Sequence, residues 1–154
     1  MHTELSENPN CSETNATFRL VGDLVDPSQI TLLTGAAPLS AARKGETHVG
    51  SHTKKTYEYK TGAWCVSSED VVESTSIERH LVFLLDILEP KKESIKKLIK
   101  QLSIRADFHI YWVSATGTGG PVISADTLRR IADLNADLDF EFQGPYEDDD
   151  EDES

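Results

Sequence analysis

Between Ile77 and Leu102 the chain repeats its apolar residues at helical spacing, while the segments on either side repeat theirs every second residue, and this change of period limits the folds open to it. Ile77, Leu81, Leu84, Leu85 and Leu88 form one stripe of an amphipathic helix predicted over 76–88. Pro90 ends it. A second helix follows from Lys92 to Leu102, with Ile95, Leu98, Ile99 and Leu102 inside and Lys96, Lys97 and Lys100 outside. Upstream, Phe18 and Leu20 alternate with Arg19 and Val21. Downstream, Phe108, Ile110 and Trp112 alternate with His109, Tyr111 and Val113, a strand apolar on both faces and so interior to a sheet. Leu138, Phe140 and Phe142 alternate with acids, giving a last strand with one wet face.

Punctuation fills in the rest. Asp26-Pro27 reads as an N-cap with proline at the first helical position, and Gly35 stops the short helix predicted over 27–34, which carries Ile30, Leu32 and Leu33. Residues 36–53 have no apolar period; Gly45, Gly50 and several Ser and Thr make them a long loop with room for a short strand. Thr56–Tyr59 and Ala63–Ser67 flank Lys60–Gly62 and predict a hairpin. Ser74, Thr75 and Ser76 offer caps for the long helix. Ser124 caps a further helix that carries Leu128, Ile131 and Ala132 and stops at Asn135. The predicted order is β-α-β-β-α-α-β-α-β, an α+β fold with one antiparallel or mixed sheet packed against helices. Trp64, Leu81, Leu84, Leu85, Phe108, Ile110 and Trp112 are the expected core. Phe18-Arg19-Leu20 resembles Phe108-His109-Ile110, a faint hint of duplication.

At 154 residues and 38% hydrophobic, the chain suffices for one core without a disulfide or metal. The expected division is a flexible N-terminus over 1–14, a single domain over 15–143 and a disordered acidic tail over 144–154. Cys11 and Cys65 lie in unlike surroundings and read as separate free thiols. The N-terminus lacks the basic and apolar regions of a signal peptide, and the longest apolar run is far too short for a membrane span, so a cytoplasmic location is expected. Net charge is −12, but Glu147 to Glu153 supply seven of the 27 acids; without them 20 acids face 15 basic residues, a net of −5. An acidic body of this kind suits neither a phosphate backbone nor an anionic membrane. The expected partner is therefore a protein, with the chain a monomer or small homo-oligomer.

Gly62-x-Trp64-x-x-Ser67, His80-Leu81-x-x-Leu84-Leu85-x-x-Leu88-x-Pro90, Gly119-Gly120, Ile123-Ser124-x-x-x-Leu128 and Leu138-Asp139-Phe140 occur in this order. In this pattern the chain resembles the bacterial domain-of-unknown-function 4279 family over roughly residues 15–143. The resemblance implies one small α+β domain and no particular activity.

The residues able to do chemistry are few. His48 and His52 stand four apart, the spacing of a metal pair on a helix, but Gly50 and Ser51 make the stretch between them a loop. His80 borders the apolar stripe, where a buried imidazole bonded to backbone competes with a general base. Glu69, Asp70 and Glu73 precede the long helix, where acids favour the helix dipole as readily as they serve acid–base catalysis. The loop 116–120 carries Gly117, Gly119 and Gly120 without the Walker lysine or G-x-G-x-x-G spacing. Residues 43–60 hold five basic residues against two acids, with Tyr57 and Tyr59 among them. Val82 and Phe83 fall off the main stripe of the long helix and, with Tyr57 and Tyr59, are the candidate partner surface. No catalytic residue, cofactor or metal is assigned. The reading is a non-enzymatic protein-binding module, immunity-like or inhibitory in its sharpest form. One alternative is a small hydrolase using His80 with Glu69 or Asp70 beside Gly119 and Gly120. The other is an acidic nucleic-acid mimic or chaperone. Convergence of the hydrolase residues in one concavity would favour the enzyme.

Overall fold

The computed structural model describes residues 6–145. The acidic run from Glu147 onward, with the expectation of disorder attached to it, lies outside the described residues. The elements are β1 (Cys11–Gly22), α1 (Pro27–Thr34), β2 (Ser40–Ala42), β3 (Thr47–Val49), β4 (Thr56–Glu58), β5 (Gly62–Ser67), α2 (Ile77–Leu88), α3 (Lys92–Gln101), β6 (Arg105–Ser114), α4 (Ala125–Asp133) and β7 (Asp137–Gln143). Five strands form a mixed sheet in the order β2-β5-β1-β6-β7, and the other two, β3 and β4, form a separate two-stranded sheet. This is the predicted α+β class with a mixed sheet: β1 runs antiparallel to β5 and β6, whereas β7 runs parallel to β6.

β1 and β6 are central because both carry apolar side chains under the helices. Phe18 faces Phe108 across the pair, their rings 5.0 Å apart, so the two similar tripeptides end as neighbours. All seven expected core residues are buried. Trp64 on β5 hydrogen-bonds from Nε1 to Thr31 Oγ1 at 3.0 Å, which fixes α1 over that strand. Caps behave as their residue types dictate. Asp26 accepts from the Gln29 amide, Gly35 closes α1 at φ 70°, and Ser124 accepts from the Thr127 amide.

The structure differs from expectation at several points. β1 begins at Cys11, inside the stretch expected to be flexible. Its first residues pair with the end of β6 through the backbone, and Thr14 Oγ1 adds a 2.6 Å bond to the Tyr111 carbonyl, so polar residues continue the strand without an apolar period. Within the long loop of 36–53 lie two short strands, β2 and β3. β4 pairs with β3, not with β5; Thr56-Tyr57-Glu58 offers nothing to bury, while β5 takes its place between β1 and β2. Leu128 and Ala132 point outward on α4, where Thr127 and Ile131 are the buried residues. Pro90 sits in a single 3₁₀ turn (Glu89–Lys91) that carries α2 directly into α3.

Candidate interaction surfaces

His80 is 1% exposed, and both its ring nitrogens are taken. Nε2 lies 2.8 Å from the Ser74 carbonyl, an acceptor only, so this nitrogen carries the proton. Nδ1 then accepts from the Ser68 hydroxyl at 2.7 Å, and Ser68 Oγ in turn accepts from the Ala16 amide at 3.0 Å. Burial pushes the imidazole below its ordinary range, against the opposing pull of the Ser74 carbonyl and Glu7. Neither nitrogen is free to take a proton from a substrate, and Ser68 is fully buried, so this serine–histidine pair ties β1 and β5 to α2. Glu7 completes the junction. Its carboxylate accepts from Ser74 Oγ and from the Thr75 amide and hydroxyl, which together hold it below the usual carboxylate range. Of the three residues that offer a cap for α2, Ser76 holds the N-cap position without a side-chain hydrogen bond to the helix.

The hydrolase set converges only in part. His80, Glu69 and Asp70 line one open depression of about 410 Å³. Gly119 and Gly120 line a neighbouring one of about 370 Å³, with Asn8, Asn10 and Ile77, and Glu7 borders both. The glycine loop is packed against the N-terminal segment. Asn8 Nδ2 donates to the Gly120 carbonyl at 3.0 Å, and a Cβ on Gly119, whose φ is 82°, would lie 2.7 Å from Asn10.

Residues 43–60 project from the β2–β5 edge. Every residue from Arg43 to Lys60 except Gly50 is exposed. His48, on β3, packs against the Tyr57 and Tyr59 rings at centroid distances of 5.5 and 4.7 Å. His52 lies in the turn, off that ladder. Arg43 and Lys44 tie the base of the arm to Asp26 and Asp23. Lys54, Lys55 and Lys60 have no carboxylate partner among the described residues. The arm thus presents aromatic faces and free ammonium groups on a backbone held by the β3–β4 ladder. Val82 and Phe83, grouped with the tyrosines by sequence, are half-buried on α2, and Phe83 packs against the core.

The sheet face away from the helices carries a charged chain. Arg19 makes a two-pronged pair with Asp107 at 2.7 and 2.8 Å and reaches Asp139 at 3.0 Å. His109 stands between Asp139 and Glu141 at 2.8 and 3.3 Å. The His109 bond, with help from Arg19, holds the Asp139 carboxyl below its usual range. Cys65 belongs to this face and is half-buried, not a core residue, and burial pushes its thiol up. This cluster escaped sequence reading because its members lie on three strands and share no spacing.

No helix among the described residues is long and apolar enough to cross a membrane. Residues 12–144 match a family model described as Domain of unknown function (DUF4279). No curated protein and no solved structure matches the chain.

Proposed function

From the premise that the chain belongs to the DUF4279 family, whose description assigns no activity, we propose that it is a non-enzymatic protein-binding module of the bacterial cytoplasm. Its 43–60 arm would take an acidic partner. The observation that carries this reading is the arm itself: an aromatic ladder of His48, Tyr57 and Tyr59, beside three lysines without carboxylate partners among the described residues. Aromatic rings supply contact area at low entropic cost, and unpaired ammonium groups leave their charge for a partner. An inhibitory or immunity-like role is the form of binding that suits a small domain presenting one protruding arm.

The test is capture from a bacterial lysate with the wild-type chain and the K54E/K55E/K60E variant side by side, quantified by mass spectrometry. Three exposed ion pairs at about 0.5 kcal/mol each come to about 1.5 kcal/mol, so a specific acidic partner should fall by roughly tenfold or more with the variant. Equal recovery of every captured protein would sink the assignment of the arm. The hydrolase reading has one observation in its favour, the shared depression of His80, Glu69 and Asp70. It predicts an esterase or amidase rate that vanishes in His80→Gln. The occupied ring nitrogens weigh against it.

A further inference from the structure

We propose that the outer edge of β7 is a docking site for an extended protein segment in which basic and apolar residues alternate, added as a sixth strand to the sheet. This surface is distinct from the 43–60 arm and does not depend on it.

A sheet edge exposes backbone donors and acceptors ready to pair, and proteins ordinarily keep such edges short or covered. The β2 edge follows that practice with three residues. β7 does not: it runs seven residues, pairs with β6 on one side, and has no strand on the other among the described residues. Its side chains divide cleanly. Phe140 and Phe142 share the helix-side face with Ile110 and Trp112, their register partners on β6, but the helix layer leaves them uncovered at 39% and 58% exposure. The two rings lie nearly parallel at 5.4 Å, and Phe142 meets Trp112 edge-on. On the opposite face stand Asp137, Asp139 and Glu141, all exposed.

This pattern selects its occupant. A second copy pairing antiparallel about Phe140 would set Asp139 opposite Glu141 of the other chain on the same face, and like charges directly opposite destabilise a sheet. Arg19 offsets only part of that charge, because it is shared between Asp107 and Asp139 and pairs with neither Asp137 nor Glu141. The complement of β7 is a strand with lysine or arginine toward the acids and aliphatic side chains toward Phe140 and Phe142. Backbone pairing then supplies affinity, and the alternating side chains supply selection. The C-terminal end of the edge opens on a groove of about 380 Å³ between the glycine loop and Gly144-Pro145. Trp112 lines that groove, and its buried Nε1 has no acceptor among the described residues, the single buried side-chain polar atom in that condition.

The probe is a blocked nine-residue peptide alternating lysine and valine, titrated into the full chain. Its controls are a peptide of the same composition with the residues in two blocks and a peptide alternating glutamate and valine. Binding is read by calorimetry and mapped by hydrogen exchange. The alternating lysine peptide is expected to bind, to slow exchange in β7 and to lose at least tenfold in affinity in F140S/F142S, which alters only exposed side chains. Both controls should bind at least tenfold more weakly. Equal binding of the blocked peptide, which the acidic run 147–153 alone would produce, overturns the proposal. So does unchanged affinity in F140S/F142S, protection confined to the arm or the open sheet face, or absence of binding at millimolar peptide. A doubling of mass in sedimentation of the chain alone, abolished by F140S/F142S, would assign the edge to a second copy instead and also overturn it.

Discussion

Glu78 is the most consequential residue that the helical stripe hides. It sits in the first turn of α2 yet is 5% exposed, and its carboxylate reaches across to the start of α4. Oε1 accepts from the Ser124 amide at 3.0 Å, and Oε2 accepts from the Ser124 and Thr127 hydroxyls at 2.6 and 2.9 Å. Ser124 meanwhile caps α4 through Thr127, so one carboxylate anchors the cap of another helix. Hydrogen bonds to a charged acceptor are worth about 1.5–3 kcal/mol each. In Glu78→Ala all three are lost, but the two hydroxyls lie 3.2 Å apart and can turn toward each other, which recovers part of the loss. The half-buried Ser124 amide also regains some water. The net cost should be about 2–4 kcal/mol. Glu78→Gln keeps an amide oxygen for Ser124 N–H and places an NH₂ where the hydroxyls can accept, so about 0.5–1.5 kcal/mol is expected. Urea denaturation followed by tryptophan fluorescence measures both. A double-mutant cycle with Ser124→Ala should show coupling above about 0.5 kcal/mol. An alanine cost below that figure, equal costs for alanine and glutamine, or a strictly additive cycle would refute the account.

Three further outcomes are expected. Because burial lowers the His80 pKa, the unfolded chain takes up a proton first as pH falls. Stability is then full above the unfolded value of about 6.5 and declines below it until the folded imidazole also protonates; the decline should shrink in His80→Gln, and identical pH 8 to 5.5 profiles would contradict it. Leu84→Ala, at a fully buried site on α2, should cost about 2–5 kcal/mol in a urea melt, and a loss under 1 kcal/mol would mean the helix packs otherwise. Gly62→Ala should cost about 1–3 kcal/mol in the same assay, since its Cβ would lie 2.8 Å from the Gly22 carbonyl and 2.9 Å from the Val25 Cβ; a neutral result would place β5 farther from β1.

The elements that sequence period resolves are those whose side chains are sorted by burial. α2 reads correctly because five of its residues have one face to bury, and β6 because both of its faces are covered over most of its length. β1 between Cys11 and Asn15, β2 and β3 do not read, since their pairing is a backbone matter and their side chains are largely polar. The hairpin expected across Lys60–Gly62 fails for a related reason. A turn signal between two alternating runs says that the chain reverses there, but it does not say which strand each run will pair with. β4 found β3 because β5 had a better use for its Trp64 and Val66 on the core side of β1.

The same limit governs the surfaces. Alternation tells which residues share a face, never which strand lies alongside. Asp137 to Gln143 has the period of a half-buried strand, and on an interior strand Phe140 and Phe142 would be core. Only the parallel pairing with β6, at the outermost position of the sheet, leaves them uncovered and turns the intervening acids into a charged border. His80 shows the converse. Its type and position suit a general base or a buried structural group equally well, and the choice falls to Ser74, whose carbonyl claims the ring proton. That carbonyl comes within reach because the segment before α2 is held by Glu7, nearly seventy residues upstream. At His80 and along β7 alike, residues distant in sequence decide the surroundings of a local pattern.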